Sequence, residues 1–223
     1  MMAQDIRSTG QPIALMTGVI PQHPSHEPWT WATAAGYNQW RFLLDHDINS
    51  NWACFDSEID IAANIASSYP QVAGHWNDPD FQDAGFTSIQ KQTMFGMTAL
   101  WSGPILLSTD LSSMSASDLS LYMNPEVIAV DQDSDGAMAT RYSQASCGSA
   151  TCEIWLKPMQ DGSSVIGLLN RSGTAQTIQV DLHAIFGASV SVTDLWSQTA
   201  LGTMSSYSAT VGPYGLDLIQ LRR

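Results

Sequence analysis

The sequence predicts an α/β region joined to an all-β region, with the boundary near residue 142 (1–141 and 142–223). Three observations carry this. Strand-like and helix-like segments alternate through the first part, which is the rhythm of a parallel sheet covered by helices. Beyond residue 142, short β-rich runs recur at spacings of roughly 10–15 residues with turn residues between them, the pattern of an antiparallel β-sandwich. Charge divides at the same place: residues 1–141 hold 16 acidic and 4 basic side chains, residues 142–223 hold 5 and 4.

In chain order, residues 12–18 (PIALMTG) read as a short buried strand. Residues 29–44 mix helix formers with aromatics and lead into Asp45-His46-Asp47. Residues 57–68 (SEIDIAANIASS) have apolar positions at helical spacing, with acids in the first turn where the helix dipole favours them. Residues 74–80 are rich in special residues and read as irregular. Residues 89–100 return to helical period, residues 104–107 (PILL) form a strand-length apolar run, and Ser115 with Asp118 makes a weak capping-box arrangement. In the second region the strand candidates are 153–158, 164–170, 177–182, 189–194 and 216–221, separated by Asp161-Gly162, Ser172-Gly173, Gly187 and Gly212-Pro213. About 140 residues accommodate roughly four βα units, so the first region is either a small open sheet or half a barrel.

Composition narrows the function. With 44% hydrophobic residues, the chain has the material for a packed core and is not disordered. A net charge of −13 argues against nucleic-acid or anionic-membrane partners, which attract Lys/Arg clusters. No apolar stretch is long enough to span a bilayer, and residues 1–7 (MMAQDIR) lack a hydrophobic signal core, so no signal peptide is expected in this chain. Cys147 and Cys152 are close enough for a hairpin disulfide or are two ordinary thiols. A disulfide would place the complete protein in an oxidising, secreted setting, and the sequon Asn170-Arg171-Ser172 is compatible with secretion.

Two stretches carry candidate chemistry. Trp76-Asn77-Asp78-Pro79-Asp80 sets two carboxylates and an amide beside an indole, the mixture a sugar site needs: an aromatic face for the ring and carboxylates for hydroxyls or protons. It also reads as a turn with capping residues and a core Trp. Trp40-Arg41-Phe42-Leu43-Leu44-Asp45 is an apolar run ending in acid, which would set Asp45 at a strand's C-terminal edge. A carboxyl among apolar neighbours has the raised pKa a general acid requires; a solvated Asp/His/Asp loop is the plainer reading. Asp131, Asp133, Asp135 and Gly136 resemble the opening of a calcium loop, but Tyr142 stands where the bidentate Glu belongs. His23 and His26 flank Pro24 and have no evident third ligand, so no metal is expected.

Together, residues 28–47 (PWTWATAAGYNQWRFLLDHD), the Trp-Asn-Asp-Pro-Asp stretch, residues 97–111 (MTALWSGPILLSTDL) and residues 124–132 (NPEVIAVDQ) resemble the family 27 glycoside hydrolases, the α-galactosidase family. Residues 154–158 and 167–171 look like that family's C-terminal β-sandwich. The resemblance covers nearly the whole chain. It implies a partial (β/α)8 TIM barrel, about the last four βα units, followed by an antiparallel β-sandwich, and hydrolysis of terminal α-D-galactosyl residues by a retaining mechanism without cofactor. It assigns Asp45 as acid/base, Arg41 as a ligand of substrate hydroxyls and Asp80 as a sugar-binding residue, with Trp76 beside them. Asp78 is expected to cap local backbone.

The family's nucleophile motif, of Lys-x-Asp-Tyr type, has no counterpart in the sequence. Thr17 and Gly18 stand where the family commonly has a Cys-Glu/Gln-Trp-type segment. These departures support an alternative, a catalytically inactive sugar-binding or subunit-contact protein. A half barrel also exposes two sheet edges that a homodimer would cover.

Overall fold

A computed structural model describes residues 2–18, 27–42, 51–69, 71–81, 83–107, 109–147 and 150–223. Helix α1 (Met2–Ser8) precedes strand β1 (Met16–Thr17), α2 (Ala32–Ala35) leads into β2 (Gln39–Arg41), and α3 (Trp52–Ser68) leads into β3 (Trp76–Asp78). The three strands adjoin in that order and run parallel, with Met16 beside Gln39, Gln39 beside Trp76 and Arg41 beside Asp78. Helices α4 (Ser88–Leu100), α5 (Ala116–Tyr122) and α6 (Pro125–Asp131) follow.

Helices α3 to α6 each start where a side chain satisfies the first free amides. Asn51 accepts from the Ala53 N–H, and Asn124 accepts from Glu126 and Val127 with Pro125 in the first turn. Thr87 and Gln90 cap each other reciprocally. Ser115 accepts the Asp118 N–H at 3.0 Å as its spacing predicts, but the Asp118 carboxylate turns away to Lys91 Nζ at 2.7 Å.

The rest is antiparallel: β4 (Thr140–Cys147), β5 (Ala150–Pro158), β6 (Ser164–Asn170), β7 (Gln176–Asp181), the short helix α7 (Leu182–Phe186), β8 (Val190–Asp194), β9 (Thr199–Met204), β10 (Ser206–Val211) and β11 (Leu216–Arg222). Six strands form one sheet in the order β4-β5-β6-β11-β8-β9, and β10 pairs with β7. The expected α/β plus all-β composition is thus present.

The six-stranded sheet is buried on both faces at its centre, which explains the unbroken apolar run 165–169 of β6 and the burial of Leu216, Leu218, Ile219 and Leu221 on β11. Val165, Leu169, Leu216 and Leu218 face a core shared with Phe55, Met94 and Trp101 of the helical layer. The alternate residues Ile166, Leu168, Ile219 and Leu221 pack with Ile178, Val180 and Val211 of the two-stranded sheet. Gly96 lets α4 approach closely, since a Cβ there would stand 2.6 Å from Leu216 Cδ2.

Several expectations are corrected. Residues 104–107 carry no strand ladder among the described residues; Pro104 has no N–H to donate, and the run is apolar because Ile105 and Leu107 pack on the core. Trp76–Asp78, read as irregular, is a strand. Its polar residues are tolerated because Asn77 Oδ1 accepts from Trp40 Nε1 at 2.7 Å and the Asn77 N–H donates to Gln71 Oε1 at 2.7 Å. The mixed stretch from residue 28 to 42 resolves into a 3-10 turn at Pro28–Thr30, α2 and β2. Helix α3 begins at Trp52, so Glu58 lies nearly two turns inside it and gains nothing from the N-terminal dipole.

Cys147 and Cys152 form a disulfide across the β4–β5 hairpin, with Cα atoms 5.4 Å apart. No helix among the described residues is long and apolar enough to cross a membrane.

Candidate active site

The C-terminal ends of β2 and β3 bring Arg41 and Asp78 side by side, and the chain then turns at Pro79 to Asp80. In parallel α/β sheets, this end of the strands is where functional groups collect. Arg41 Nη2 lies 2.9 Å from Asp80 Oδ1 and 3.5 Å from Asp78 Oδ2. Both carboxylates are buried, while Arg41 retains partial exposure.

Asp80 adopts the left-handed conformation, with φ 52°. A non-glycine residue there costs on the order of 1 kcal/mol, and such strain concentrates at functional positions. Its N–H donates to Asp78 Oδ1 at 2.8 Å, an Asx turn that holds the conformation. The other Asp78 oxygen accepts from Gln39 Nε2 at 3.0 Å. Asp78 therefore secures the turn, and Arg41 with Asp80 presents a planar donor fork beside a carboxylate acceptor. Such a pair is suited to adjacent hydroxyl groups.

Trp76 shares a face with Asp78 but starts its strand, two residues from the Arg41–Asp80 corner. It lines a separate cavity of about 520 Å³ with Gln39, Ser102, Asp131 and Asp133 at the opposite, N-terminal end of the strands. Gly136 packs on its ring, where a Cβ would collide with Trp76 Cζ3, and its φ of 62° also favours glycine. Burial pushes the Asp131 carboxyl up to about 7, against the opposing charge of Lys157. Asp133 caps local backbone, accepting from the Asp135 and Gln160 N–H groups at 3.2 and 3.0 Å. Among the described residues no group of three or more His, Cys, Asp or Glu could hold a metal ion.

The structure thus brings together Arg41 and Asp80, and leaves Trp76 at the other end of β3. Asp45, four residues beyond Arg41 in the sequence, lies outside the described residues, as do His23 and His26. Two residues escaped sequence reasoning. Gln39 shares the face of Arg41, so strand alternation alone points to it. Glu58, fully buried beneath the site, was hidden by its place among other helix-forming residues.

Residues 1–133 match the family profile described as "Alpha galactosidase A", and residues 149–221 match the "Alpha galactosidase C-terminal beta sandwich domain". The chain belongs to the family 27 glycoside hydrolases. Its relatives include the α-galactosidase of Oryza sativa subsp. japonica, 33% identical over 193 residues, covering 84% of this chain and 44% of that protein. The α-galactosidase of Cyamopsis tetragonoloba is 30% identical over 211 residues, covering 92% of this chain and 48% of its own. The crystal structure of α-galactosidase I from Mortierella vinacea superposes with a TM-score of 0.84 at 22% identity, over 99% of this chain and 61% of that one. The chain spans about half the length of the curated relatives it matches.

Proposed function

We propose that this chain supplies the acid/base half of an α-galactosidase-type glycoside hydrolase acting on terminal α-D-galactosyl residues. Its β1-β2-β3 sheet would be three successive strands of a (β/α)8 barrel spanning residues 1–141, with residues 142–223 as the sandwich domain. The observation that carries the reading is the Arg41–Asp80 corner at the C-terminal ends of adjacent parallel strands, in a chain whose relatives at 30–33% identity are α-galactosidases.

In this scheme Arg41 donates to one sugar hydroxyl and Asp80 accepts from its neighbour. Asp78 and Gln39 hold the corner rigid. Asp45, following β2, protonates the glycosidic oxygen as it leaves and then deprotonates the water that hydrolyses the glycosyl-enzyme. A retaining double displacement needs a second carboxylate about 5–5.5 Å away as nucleophile. This sequence has no counterpart of the family's nucleophile motif, so that group is assigned to a segment outside it. The chemistry needs no cofactor. The disulfide and the family's plant members fit an extracellular setting for the whole protein.

Calorimetric titration of melibiose into the chain and into Asp80→Asn tests the reading. Asn tolerates the left-handed conformation, so the variant removes the charge without straining the turn. Affinity weaker by about tenfold, roughly 1.4 kcal/mol, is expected in the variant. Equal affinity in both proteins, or no heat from either at millimolar sugar, would refute it.

A further inference from the structure

Glu58 is completely buried on the stripe of α3 that carries Phe55, Ile59 and Ala62 into the core. Neither of its carboxyl oxygens has a hydrogen-bond partner among the described residues. The titratable and charged groups that face it among the described residues are Asp80 and Asp78 from the end of β3, Arg41 from β2 and Cys54 on its own helix. Three buried carboxyls and one guanidinium therefore share this region. Asp80 has Arg41 at 2.9 Å, and Asp78 has the Gln39 amide and the Asp80 N–H. Among the described residues, Glu58 has no hydrogen-bond donor and no ion pair. An unpaired carboxylate in a dry interior is so costly that the group takes up a proton instead. Burial, reinforced by the negative charges of Asp80 and Asp78, pushes its pKa well above the ordinary 4.5.

We infer that Glu58 is a neutral carboxylic acid behind the Arg41–Asp80 pair and serves as a positioning residue for the Arg41 guanidinium. Ionised, Glu58 would compete with Asp80 for that guanidinium and add an unbalanced charge to the cluster. Protonated, it leaves Arg41 directed at Asp80 and the site. The linkage has a definite sign. The folded-state pKa lies above the unfolded value, so between the two the folded protein holds the extra proton. Stability from this group is full below about pH 4.5 and is lost as pH rises toward the folded pKa. Affinity at the Arg41–Asp80 corner declines over the same range; this second consequence rests on the sugar-site reading.

The test compares the chain with Glu58→Gln by infrared spectroscopy near pH 6, by thermal unfolding from pH 5 to 8 and by melibiose titration at both ends of that range. The wild-type spectrum should contain the carbonyl stretch of an un-ionised acid that E58Q lacks and that Asp131→Asn retains. The wild-type midpoint should fall with pH relative to that of E58Q, and its melibiose affinity should fall several-fold more. Matching spectra or parallel midpoint profiles would overturn the neutral acid. Equal pH dependence of affinity in the two proteins would overturn the positioning role alone. An absence of binding at every pH would overturn the sugar-site reading and the positioning role with it, leaving the protonation result standing. If E58Q does not fold, Glu58→Met, which suits the apolar stripe, serves for the same comparison.

Discussion

The Arg171 guanidinium meets both carboxylate oxygens of Asp60, Nη1 to Oδ1 at 3.0 Å and Nη2 to Oδ2 at 3.1 Å. Its remaining donors reach Asp56 Oδ1, the Asp56 carbonyl and Glu153 Oε1, so all five N–H groups are used. Arg141 adds bonds to Asp60 and to Glu153, which is fully buried. This network ties α3, and therefore the helix that carries Glu58, to the edge of the six-stranded sheet.

Arg171→Met should destabilise the fold by roughly 3 kcal/mol, because it leaves the buried Glu153 with Arg141 as its remaining guanidinium. A lower urea midpoint at unchanged slope is the expected readout. Burial opposes ionisation of Asp60, but the bonds from Arg171 and Arg141 outweigh it and hold the carboxyl below its ordinary 3.8. The Asp60 contribution is therefore complete above about pH 4 and is lost on further acidification. An R171M midpoint equal to wild type would remove the network from the account.

Lys157 is the second internal tie. It is fully buried on β5, and its ammonium donates to the Ala99 carbonyl at 2.9 Å, the Val130 carbonyl at 2.7 Å and the Ser102 hydroxyl. It thus caps the ends of α4 and α6 together. Burial pushes its pKa down to about 8, with Asp131 and Asp133 pulling the other way. Lys157→Met should cost about 2–4 kcal/mol by leaving buried carbonyls unpaired. Because the unfolded lysine keeps its proton up to about 10.5, wild type should gain stability relative to K157M as pH rises from 8 to 10.5. A constant difference across that range would contradict the buried-lysine assignment.

Asn170 shows how a surface-looking motif can be structural. The asparagine of the Asn170-Arg171-Ser172 sequon is fully buried, and its amide donates to the Thr174, Val211 and Gly212 carbonyls at 2.8, 3.0 and 2.8 Å. A glycan there is incompatible with the folded sandwich. Peptide mass spectrometry of protein secreted from a eukaryotic host should find Asn170 unmodified. Asn170→Ala should lower stability by about 2–3 kcal/mol. A stably folded protein glycosylated at Asn170 would show this reading to be mistaken.

What was legible in the sequence follows the physics of each segment. Helices α3 and α4 announce themselves through apolar periodicity, and strands β6 and β11 through short apolar runs that face two cores. Strands β4, β9 and β10 do not, since most of their residues are exposed and small or polar. Strand β3 was hidden for the opposite reason: its polar side chains are buried and satisfied by Trp40, Gln39 and Arg41. At the site, Arg41 and Asp80 were reached through the ordered motifs. The role of Gln39 and the burial of Glu58 needed the register of β2 on β3 and the true start of α3.

The central claim is that the Arg41–Asp80 corner holds the sugar. A crystal structure of the chain with bound galactose tests it most directly. The account predicts adjacent sugar hydroxyls on the Arg41 guanidinium and the Asp80 carboxylate, at the C-terminal ends of β2 and β3. A sugar seated instead beside Asp131 and Asp133 at the far end of the strands, with the Arg41–Asp80 pair untouched, would contradict it.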